Sequence, residues 1–332
     1  MSKHLNYLKY INSLDFKYIL NLLKPLRIGC DNVSNNAPIH TLKLINVPFT
    51  YVFTGDNNSD NIKSILANYK PKIIYDNIFL RDNSTLQLLD IYIASIPYEK
   101  CIIENIESSF FNCYLICIKK TKPRVFIFEH KGNINTSTNS IFTTIINQLN
   151  NLNRYNIYYK SLNTKDYGIP QSRERIFIIG IDKTCDKGFK FPKKIQLDIT
   201  VEDILETYDN IDPKFAHLTQ HKTQLLNDLQ EHNKVVDLDK NWSINLNVSS
   251  YKKCTPMLDI CPGLLAGNGG DCIFYLSSIG RRYTPREYLN LQGFSEFNQD
   301  VSNCKLYKQV GNSISVNILA FLFKSIILTT NF

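Results

Sequence analysis

Short apolar runs rich in β-branched and aromatic residues alternate with stretches of helical length through the first 180 residues. Strands and helices that alternate at this spacing form a mostly parallel sheet with helices on both faces. The sequence therefore predicts an α/β fold with a Rossmann-like, doubly wound sheet. The predicted strands are Leu26–Cys30, Thr50–Thr54, Lys72–Tyr75, Ile91–Ala94, Val125–Phe128, Ile157–Leu162 and Ile176–Ile181. The helices predicted between them are Ile39–Asn46, Asn61–Tyr69, Phe111–Lys119 and Ser140–Leu152.

Beyond Gly180 the regular alternation ends. Amphipathic helices are predicted at Val201–Tyr208 and Leu218–His232, and an irregular, glycine-punctuated region follows. The apolar stretch Val316–Leu328 predicts a buried helix close to the last residue. Three parts are therefore predicted: a sheet domain at 1–181, a smaller irregular domain at 182–280, and a segment at 281–332 that returns to the first domain.

Composition excludes several classes of protein. No apolar run approaches the roughly 20 residues that span a membrane, and Met1–Leu26 mixes Lys, Asp and Asn into its apolar positions, unlike a secretory signal. The nine cysteines include no CxxC pair, and no zinc-ligand pattern forms around Cys113 and Cys117. We therefore expect an intracellular protein with reduced thiols and no metal site, and the sequence does not distinguish nucleus from cytoplasm.

The positive charge is unevenly distributed. The chain carries a formal net charge of +8, which permits a polyanionic partner. Between Asp182 and Gly280, however, 11 Lys and Arg residues face 14 Asp and Glu residues. The excess positive charge therefore lies elsewhere, where it could contact phosphates.

Three segments resemble, in order, the last three conserved motifs of the cytosine-carbon-5 methyltransferases. Tyr167–Gly180 reads YGIPQSRERIFIIG, Arg282–Phe294 reads RYTPREYLNLQGF, and Gln309–Val316 reads QVGNSISV. The spacing leaves room between the first and second for the variable target-recognition region of that family. The resemblance implies the class I S-adenosylmethionine-dependent methyltransferase fold with a smaller target-recognition domain.

The same resemblance implies the reaction and its residues. In the family a cysteine thiolate adds to carbon 6 of cytosine, and a methyl group from S-adenosylmethionine is transferred to carbon 5. DNA is the implied partner, RNA is possible, and a protein partner is also possible. Glu129 corresponds to the catalytic glutamate, and Arg173 and Arg175 correspond to the arginines that hold the flipped base. The alternation of Gln171 with these arginines puts them on one face of a strand, so scaffolding by salt bridges stays open as an alternative role.

Further residues are implied to bind S-adenosylmethionine. Asp56 and Asp76 follow the second and third strands, where the family binds ribose and adenine, although carboxylates at strand ends are also common turn formers. Asn57 stands where the family often stacks a hydrophobic residue on adenine. The remaining cofactor-binding candidates are Ser95, Pro97 and Asn312.

Two departures from the family pattern concern the chemistry itself. Tyr98 stands at the position of the nucleophilic cysteine, and a phenol with a pKa near 10 cannot replace a thiolate in reversible addition. Cys101, three residues later, would need a large loop movement to take over. The family's Phe-x-Gly-x-Gly cofactor turn corresponds to Ile28–Pro38, where no glycine follows Gly29.

The sequence thus predicts a homologue of DNA cytosine-5 methyltransferases that is catalytically inactive and keeps a scaffold, nucleic-acid-binding or protein-binding role. The alternative is active S-adenosylmethionine-dependent methylation of cytosine carbon 5 in DNA or RNA. On the first hypothesis Tyr98 occupies the position of the nucleophile but cannot act as one, and binding of S-adenosylmethionine is doubtful.

Overall fold

The computed structural model describes residues 9–12, 24–96, 110–131, 140–207, 211–265 and 272–332. It divides into two compact units. Unit 1 comprises Met1–Tyr10, Thr164–Arg173 and Ile195–Asn312, and unit 2 comprises Ile11–Asn163, Glu174–Lys194 and Ser313–Phe332. The three-part division predicted from the sequence stays a prediction.

The α-helices of the described chain, in order, are α1 (Lys9–Asn12), α2 (Ala37–Leu44), α3 (Ser59–Asn68), α4 (Phe110–Thr121), α5 (Ser140–Asn150), α6 (Gln220–Glu231), α7 (Pro285–Leu291), α8 (Asn303–Asn312) and α9 (Val316–Thr329). The strands are β1 (Leu26–Asp31), β2 (Phe49–Gly55), β3 (Ile73–Tyr75), β4 (Ile91–Ile96), β5 (Val125–His130), β6 (Tyr155–Asn163), β7 (Gln171–Ser172), β8 (Glu174–Asp182), β9 (Trp242–Asn245), β10 (Met257–Leu258), β11 (Cys261–Pro262), β12 (Phe274–Leu276) and β13 (Arg281–Arg282).

Unit 2 is built on a seven-stranded sheet in the order β3-β2-β1-β4-β5-β8-β6. The pairs among the first five strands are all parallel, and β8 runs antiparallel to both β5 and β6. The central strands are almost entirely buried, as expected for parallel strands that are covered on both faces. The predicted mostly parallel α/β sheet is confirmed.

Aromatic side chains fill the core of unit 2 beneath α4 and α5. Tyr92, Tyr114 and Phe128 are fully buried there, and the ring of Tyr92 meets that of Phe128 edge to face with centroids 5.9 Å apart. Such pairs contribute about 0.5–1.5 kcal/mol beyond the burial of their area.

Helix α9 packs against α2 within the same unit. The hydroxyl of Thr41 lies 3.4 Å from the carbonyl of Val316, and most side chains of α9 are buried. The stretch Asn303–Thr329 is long and apolar enough to cross a membrane, but 83% of its most apolar window is buried in the protein. This burial fits the predicted core helix.

Unit 1 contains a four-stranded sheet in the order β10-β9-β12-β13 and a short parallel pair formed by β7 and β11. Helix α7 begins with a capping box, in which Thr284 and Glu287 each bond the backbone N–H of the other. Both carboxylate oxygens of Glu287 also accept from the guanidinium of Arg281, at 2.7 and 2.9 Å. Within the segment Arg282–Phe294, singled out from the sequence, Thr284 and Glu287 therefore organise the start of a helix.

Candidate functional site

The parallel strands of unit 2 bring several predicted site residues to one edge of the sheet. Because β1, β2, β3, β4 and β5 run in the same direction, their carboxyl ends share that edge. Ligands of open α/β sheets bind at such an edge. The predicted residues placed there are Asp56, Asn57, Asp76, Ser95 and Glu129.

Glu129 lies near the end of β5 and is 3% exposed. Its Oε2 accepts a hydrogen bond from Oγ of Ser95 at 3.2 Å, because Ser95 and Glu129 are direct partners in the β4–β5 register. Its Oε1 lies 3.8 Å from Nε of Arg175. The structure therefore brings together one carboxylate, one hydroxyl and one guanidinium that the sequence had predicted for the site.

Arg175 and Arg173 have different partners. The side chain of Arg175 is 15% exposed, and its Nη1 also donates to the carbonyl of Glu174. Arg173 belongs to unit 1, where Nη1 donates to the carbonyls of Leu264 and Gly311 at 2.9 and 3.0 Å. Arg173 thus connects separated segments of unit 1 and has a structural role. Its predicted contact with a flipped base stays a prediction.

Tyr114 connects the first turn of the sheet to the end of β4. Its hydroxyl accepts from Nδ2 of Asn32 at 2.7 Å and donates to the carbonyl of Ser95 at 3.0 Å. Together with the bond from Ser95 to Glu129, these contacts form a continuous hydrogen-bonded path from the turn after β1 to the glutamate. The role of Tyr114 could not be identified from the sequence, since its place on the apolar face of a helix indicates only a core residue.

The turn after β1 keeps a backbone that normally requires glycine. Asn32, Ser34 and Asn36 have φ angles of 51°, 52° and 59°, in the left-handed region. Asn35 and Asn36 are both completely buried, and Nδ2 of Asn36 bonds the hydroxyl of Tyr51. Side chains therefore fill the turn, whereas glycines would leave its backbone open to a ligand.

A buried ion pair lies directly below this turn. Arg81 contacts the carboxylate of Asp31 at the end of β1, and the hydroxyl of Tyr92 donates to the same carboxylate at 2.7 Å. Burial alone lowers the pKa of Arg81, but the charge of Asp31 outweighs it and the pKa is raised, so the guanidinium stays protonated. Burial and the charge of Asp31 both raise the pKa of Tyr92, so the phenol stays neutral. This pair could not be identified from the sequence either, because Arg81 lies in a loop without periodicity.

The two carboxylates predicted for ribose and adenine differ in their surroundings. Asp56 is buried, and its oxygens accept from the N–H of Asn58 and from Nδ2 of Asn61, both at 2.9 Å. Asn57 accepts from the backbone of Ile78, and Asp76 is exposed at the end of β3. Asp56 and Asn57 thus stabilise the loops at this edge.

These residues do not fit S-adenosylmethionine in the manner that the resemblance implies. The acidic groups for the nucleoside end are present, but Asp56 is engaged in local turns. The turn that should receive the methionine end is filled by buried amide side chains. Asn312 ends α8 with an exposed side chain in unit 1. Pro97, Tyr98 and Cys101 lie outside the described residues.

Comparison with known families gives one match that spans most of the chain. The family model of the C-5 cytosine-specific DNA methylases matches residues 39–328. The match includes β4, β5 and the three segments that carry the resemblance.

Individual relatives agree with this match. The chain is 28% identical over 294 residues to the type II methyltransferase M.Bsp6I of Bacillus sp. (strain RFL6), covering 84% of this chain and 91% of that protein. It is 33% identical over 227 residues to the type II methyltransferase M.HaeII of Haemophilus aegyptius, covering 67% of this chain and 66% of that protein.

Solved structures resemble the fold at low sequence identity. The Dnmt2 methyltransferase of S. pombe superposes with a TM-score of 0.64 at 18% identity, over 92% of this chain and 98% of that one. A DNMT2 mutant of Spodoptera frugiperda gives a TM-score of 0.68 at 13% identity, over 90% of this chain and 99% of that one. At these identities the likeness concerns the fold alone.

Proposed function

The chain belongs to the C-5 cytosine-specific DNA methylase family, and from that premise we propose that it is a catalytically inactive homologue that keeps a scaffold role in binding nucleic acid or protein. The observation that carries the proposal is the tyrosine at position 98, where the resemblance places the nucleophilic cysteine. The relatives named above are methyltransferases, and DNA is the partner that the family description implies.

The chemistry explains why this exchange matters. Carbon 5 of cytosine becomes reactive only after a nucleophile has added to carbon 6, and a thiolate is suited to add and then to leave. The phenol of a tyrosine is almost fully protonated at neutral pH and is a poor substitute. Its ring would also crowd the pocket that a flipped base must enter.

The turn after β1 supports the proposal independently. By resemblance, Asp56 and Asp76 stand where the family binds the nucleoside end of S-adenosylmethionine, but both oxygens of Asp56 already accept from Asn58 and Asn61. The buried side chains of Asn35 and Asn36 would keep the methionine end of S-adenosylmethionine from approaching the backbone of the turn. A restored thiol would therefore face a cofactor site that is itself impaired.

What is retained also supports a scaffold role. Glu129 pairs with Arg175 and accepts from Ser95, and these polar contacts, at the residues that the resemblance assigns to the family's pocket, support a retained binding role. Arg175 is partly exposed and could contact a base or phosphate. A binding role requires only such polar contacts, whereas catalysis also requires the nucleophile and the cofactor.

The test is transfer of labelled methyl groups from S-adenosylmethionine to cytosine-containing DNA and RNA. We expect no incorporation by the unmodified protein and none by Tyr98→Cys, because that variant restores only one of the two lost features. Calorimetric titration with S-adenosylmethionine should show no micromolar binding. Incorporation by the unmodified protein that Cys101→Ser abolishes would refute the proposal and establish the active alternative.

A further inference from the structure

The amino-terminal edge of the unit 2 sheet, opposite the edge that carries Glu129, contains a cationic cavity. The cavity has a volume of about 510 Å³, and its charged lining residues are Arg27, Lys122, Arg124, Arg154 and Asp182. These residues lie at or next to the first residues of β1, β5 and β6. Four cationic side chains thus converge from three strands, although nothing in the predicted site uses them.

Partly covered carboxylates hold the arginines in place. Asp90 accepts from Nε of Arg27 at 3.2 Å and lies 3.8 Å from Nε of Arg124, while Asp182 pairs with Arg154. The carboxylate side chains are only 11% and 3% exposed, whereas the three arginines are 45%, 41% and 47% exposed. The negative groups therefore lie beneath and the guanidinium edges face solvent, an arrangement that orients donors toward an outside anion.

The positive charge at this edge exceeds what these carboxylates can neutralise. Arg27 and Arg124 share the single carboxylate of Asp90. Lys122 is exposed and has no ion pair within 4 Å among the residues that the structure describes, and Lys119 and Lys120 are exposed just before it. This part of the molecule is one location of the excess positive charge that the sequence places outside 182–280.

The backbone at Lys122 is unusual as well. Its φ angle is 43°, in the left-handed region, and the next residue is a proline. A lysine in that region costs roughly 1–2 kcal/mol relative to a right-handed conformation, and glycine would avoid the cost. The N–H of Lys122 donates to the carbonyl of Ile118 at 2.9 Å, the bond of a left-handed helix C-cap, so the turn that ends α4 places this lysine at the cavity.

The amount of uncompensated charge indicates the class of anion. Six cations lie at this edge, namely Arg27, Lys119, Lys120, Lys122, Arg124 and Arg154, and they face the two carboxylates of Asp90 and Asp182. A single phosphate carries a charge of at most about −2, whereas a nucleic acid presents charges repeatedly along its backbone. We propose that this edge binds the phosphate backbone of a nucleic acid, independently of the pocket at the opposite edge and of any methyl transfer.

The test is fluorescence anisotropy of a labelled DNA duplex titrated with the full chain at several salt concentrations. The variant Lys122→Gln/Arg124→Gln removes two exposed cations from the cavity. We expect its binding constant to fall about 50-fold at 100 mM salt, and the slope of log K against log salt to lose about 2, because each phosphate contact contributes roughly 0.9. The control Lys63→Gln/Lys70→Gln removes the same charge from exposed positions on α3 and after it, and should change both quantities by less than half as much.

Thermal unfolding of both variants shows whether the fold is retained, and Lys122→Gln alone provides a second, milder variant that should weaken binding in the same direction. Equal loss in the cavity and control variants would overturn the proposal, since it would indicate only long-range attraction by net charge. Binding to anionic phospholipid vesicles without binding to the duplex would also overturn it. Failure here would leave the methyl-transfer result untouched, so the two proposals are tested separately.

Discussion

Nη1 of Arg81 donates to both carboxylate oxygens of Asp31, at 2.8 and 3.0 Å, and the two side chains are 1% and 0% exposed. The guanidinium also lies over the rings of Phe53 and Tyr75, at 5.5 and 5.3 Å from their centroids. A charge buried this completely is tolerated only while its partner is present. The ion pair therefore fixes the loop that carries Arg81 to the end of β1.

Replacing one member of this pair should cost far more than replacing both. We expect Arg81→Met to lower the free energy of unfolding by about 3–5 kcal/mol, because it leaves Asp31 buried without a counter-charge. The double variant Arg81→Met/Asp31→Leu should regain most of the loss. Urea unfolding measures both, and a single variant within 1 kcal/mol of the unmodified protein would show that the pair is not buried as described.

Gly180 on β8 leaves no room for a side chain. A Cβ atom there would lie 2.0 Å from Cζ of Phe126, a contact that the packed core cannot absorb without displacement. We expect Gly180→Ala to destabilise unit 2 by about 2 kcal/mol or more. Phe126→Leu should partly rescue it in a double-mutant cycle, and purely additive effects of the two substitutions would count against this packing.

Glycine should be accepted readily in the turn after β1, since the backbone is already left-handed at Ser34 and Asn36. We expect Ser34→Gly/Asn36→Gly to show S-adenosylmethionine binding in calorimetry under conditions in which the unmodified chain shows none, because the buried side chains are removed. The matched control Ser34→Ala/Asn36→Ala loses the same polar atoms but keeps both Cβ atoms, and should gain less. Equal gain in both variants would mean that the atoms beyond Cβ alone obstruct the site and that the turn does not need glycine.

Glu287 should be one of the most sensitive positions of unit 1. Its carboxylate accepts from Arg281, from the N–H of Thr284 and from the N–H of Glu206. We expect Glu287→Ala to lower the free energy of unfolding by about 3–5 kcal/mol, since Arg281 would be left buried without its partner. The exposed Glu296→Ala should stay within about 0.5 kcal/mol in the same denaturant titration.

His130 at the end of β5 makes stability depend on pH. Burial lowers the pKa of its imidazole below the ordinary 6.5, although a hydrogen bond with the backbone of Ile96 opposes the shift. The folded protein therefore favours the neutral imidazole. The stabilisation that His130 provides is fully present above pH 6.5. As pH falls toward the lowered folded pKa, protonation favours the unfolded chain, and up to about 1.4 kcal/mol is lost per pH unit. Urea unfolding between pH 7.5 and 5 should show this loss, and a His130→Gln variant should lack it.

The sheet could be predicted from the sequence because its strands are long enough and apolar enough to identify without tertiary information. Each predicted strand of the first 181 residues overlaps an observed one in unit 2, and the ends differ by only a few residues. The helix predicted at Val201–Tyr208 was wrong: Val201–Ile204 forms a single 3₁₀ turn, because Leu205 already adopts an extended backbone.

Much of the site could not be predicted, for two different reasons. Asp31 and Arg81 are 50 residues apart, and no local pattern links them. The left-handed turn did leave a signal, because asparagine tolerates positive φ better than most residues and two of its three left-handed positions, 32 and 36, are asparagines. The absence of glycine therefore did not mean the loss of the backbone shape. The predicted exchange of the nucleophile at Tyr98 lies outside the described residues and stays a prediction.

The packing of α9 on α2 has a consequence for synthesis on the ribosome. The contact between Thr41 and Val316 joins positions 275 residues apart. Helix α2 therefore cannot pack against α9 until all of the Ile195–Asn312 segment of unit 1 has been synthesised. Translation at about 5–20 residues per second makes this a delay of roughly 15–60 s. During that time an apolar helix face stays uncovered on the nascent chain. The nascent protein is therefore expected to engage chaperones before release, whether or not the mature protein has any catalytic activity.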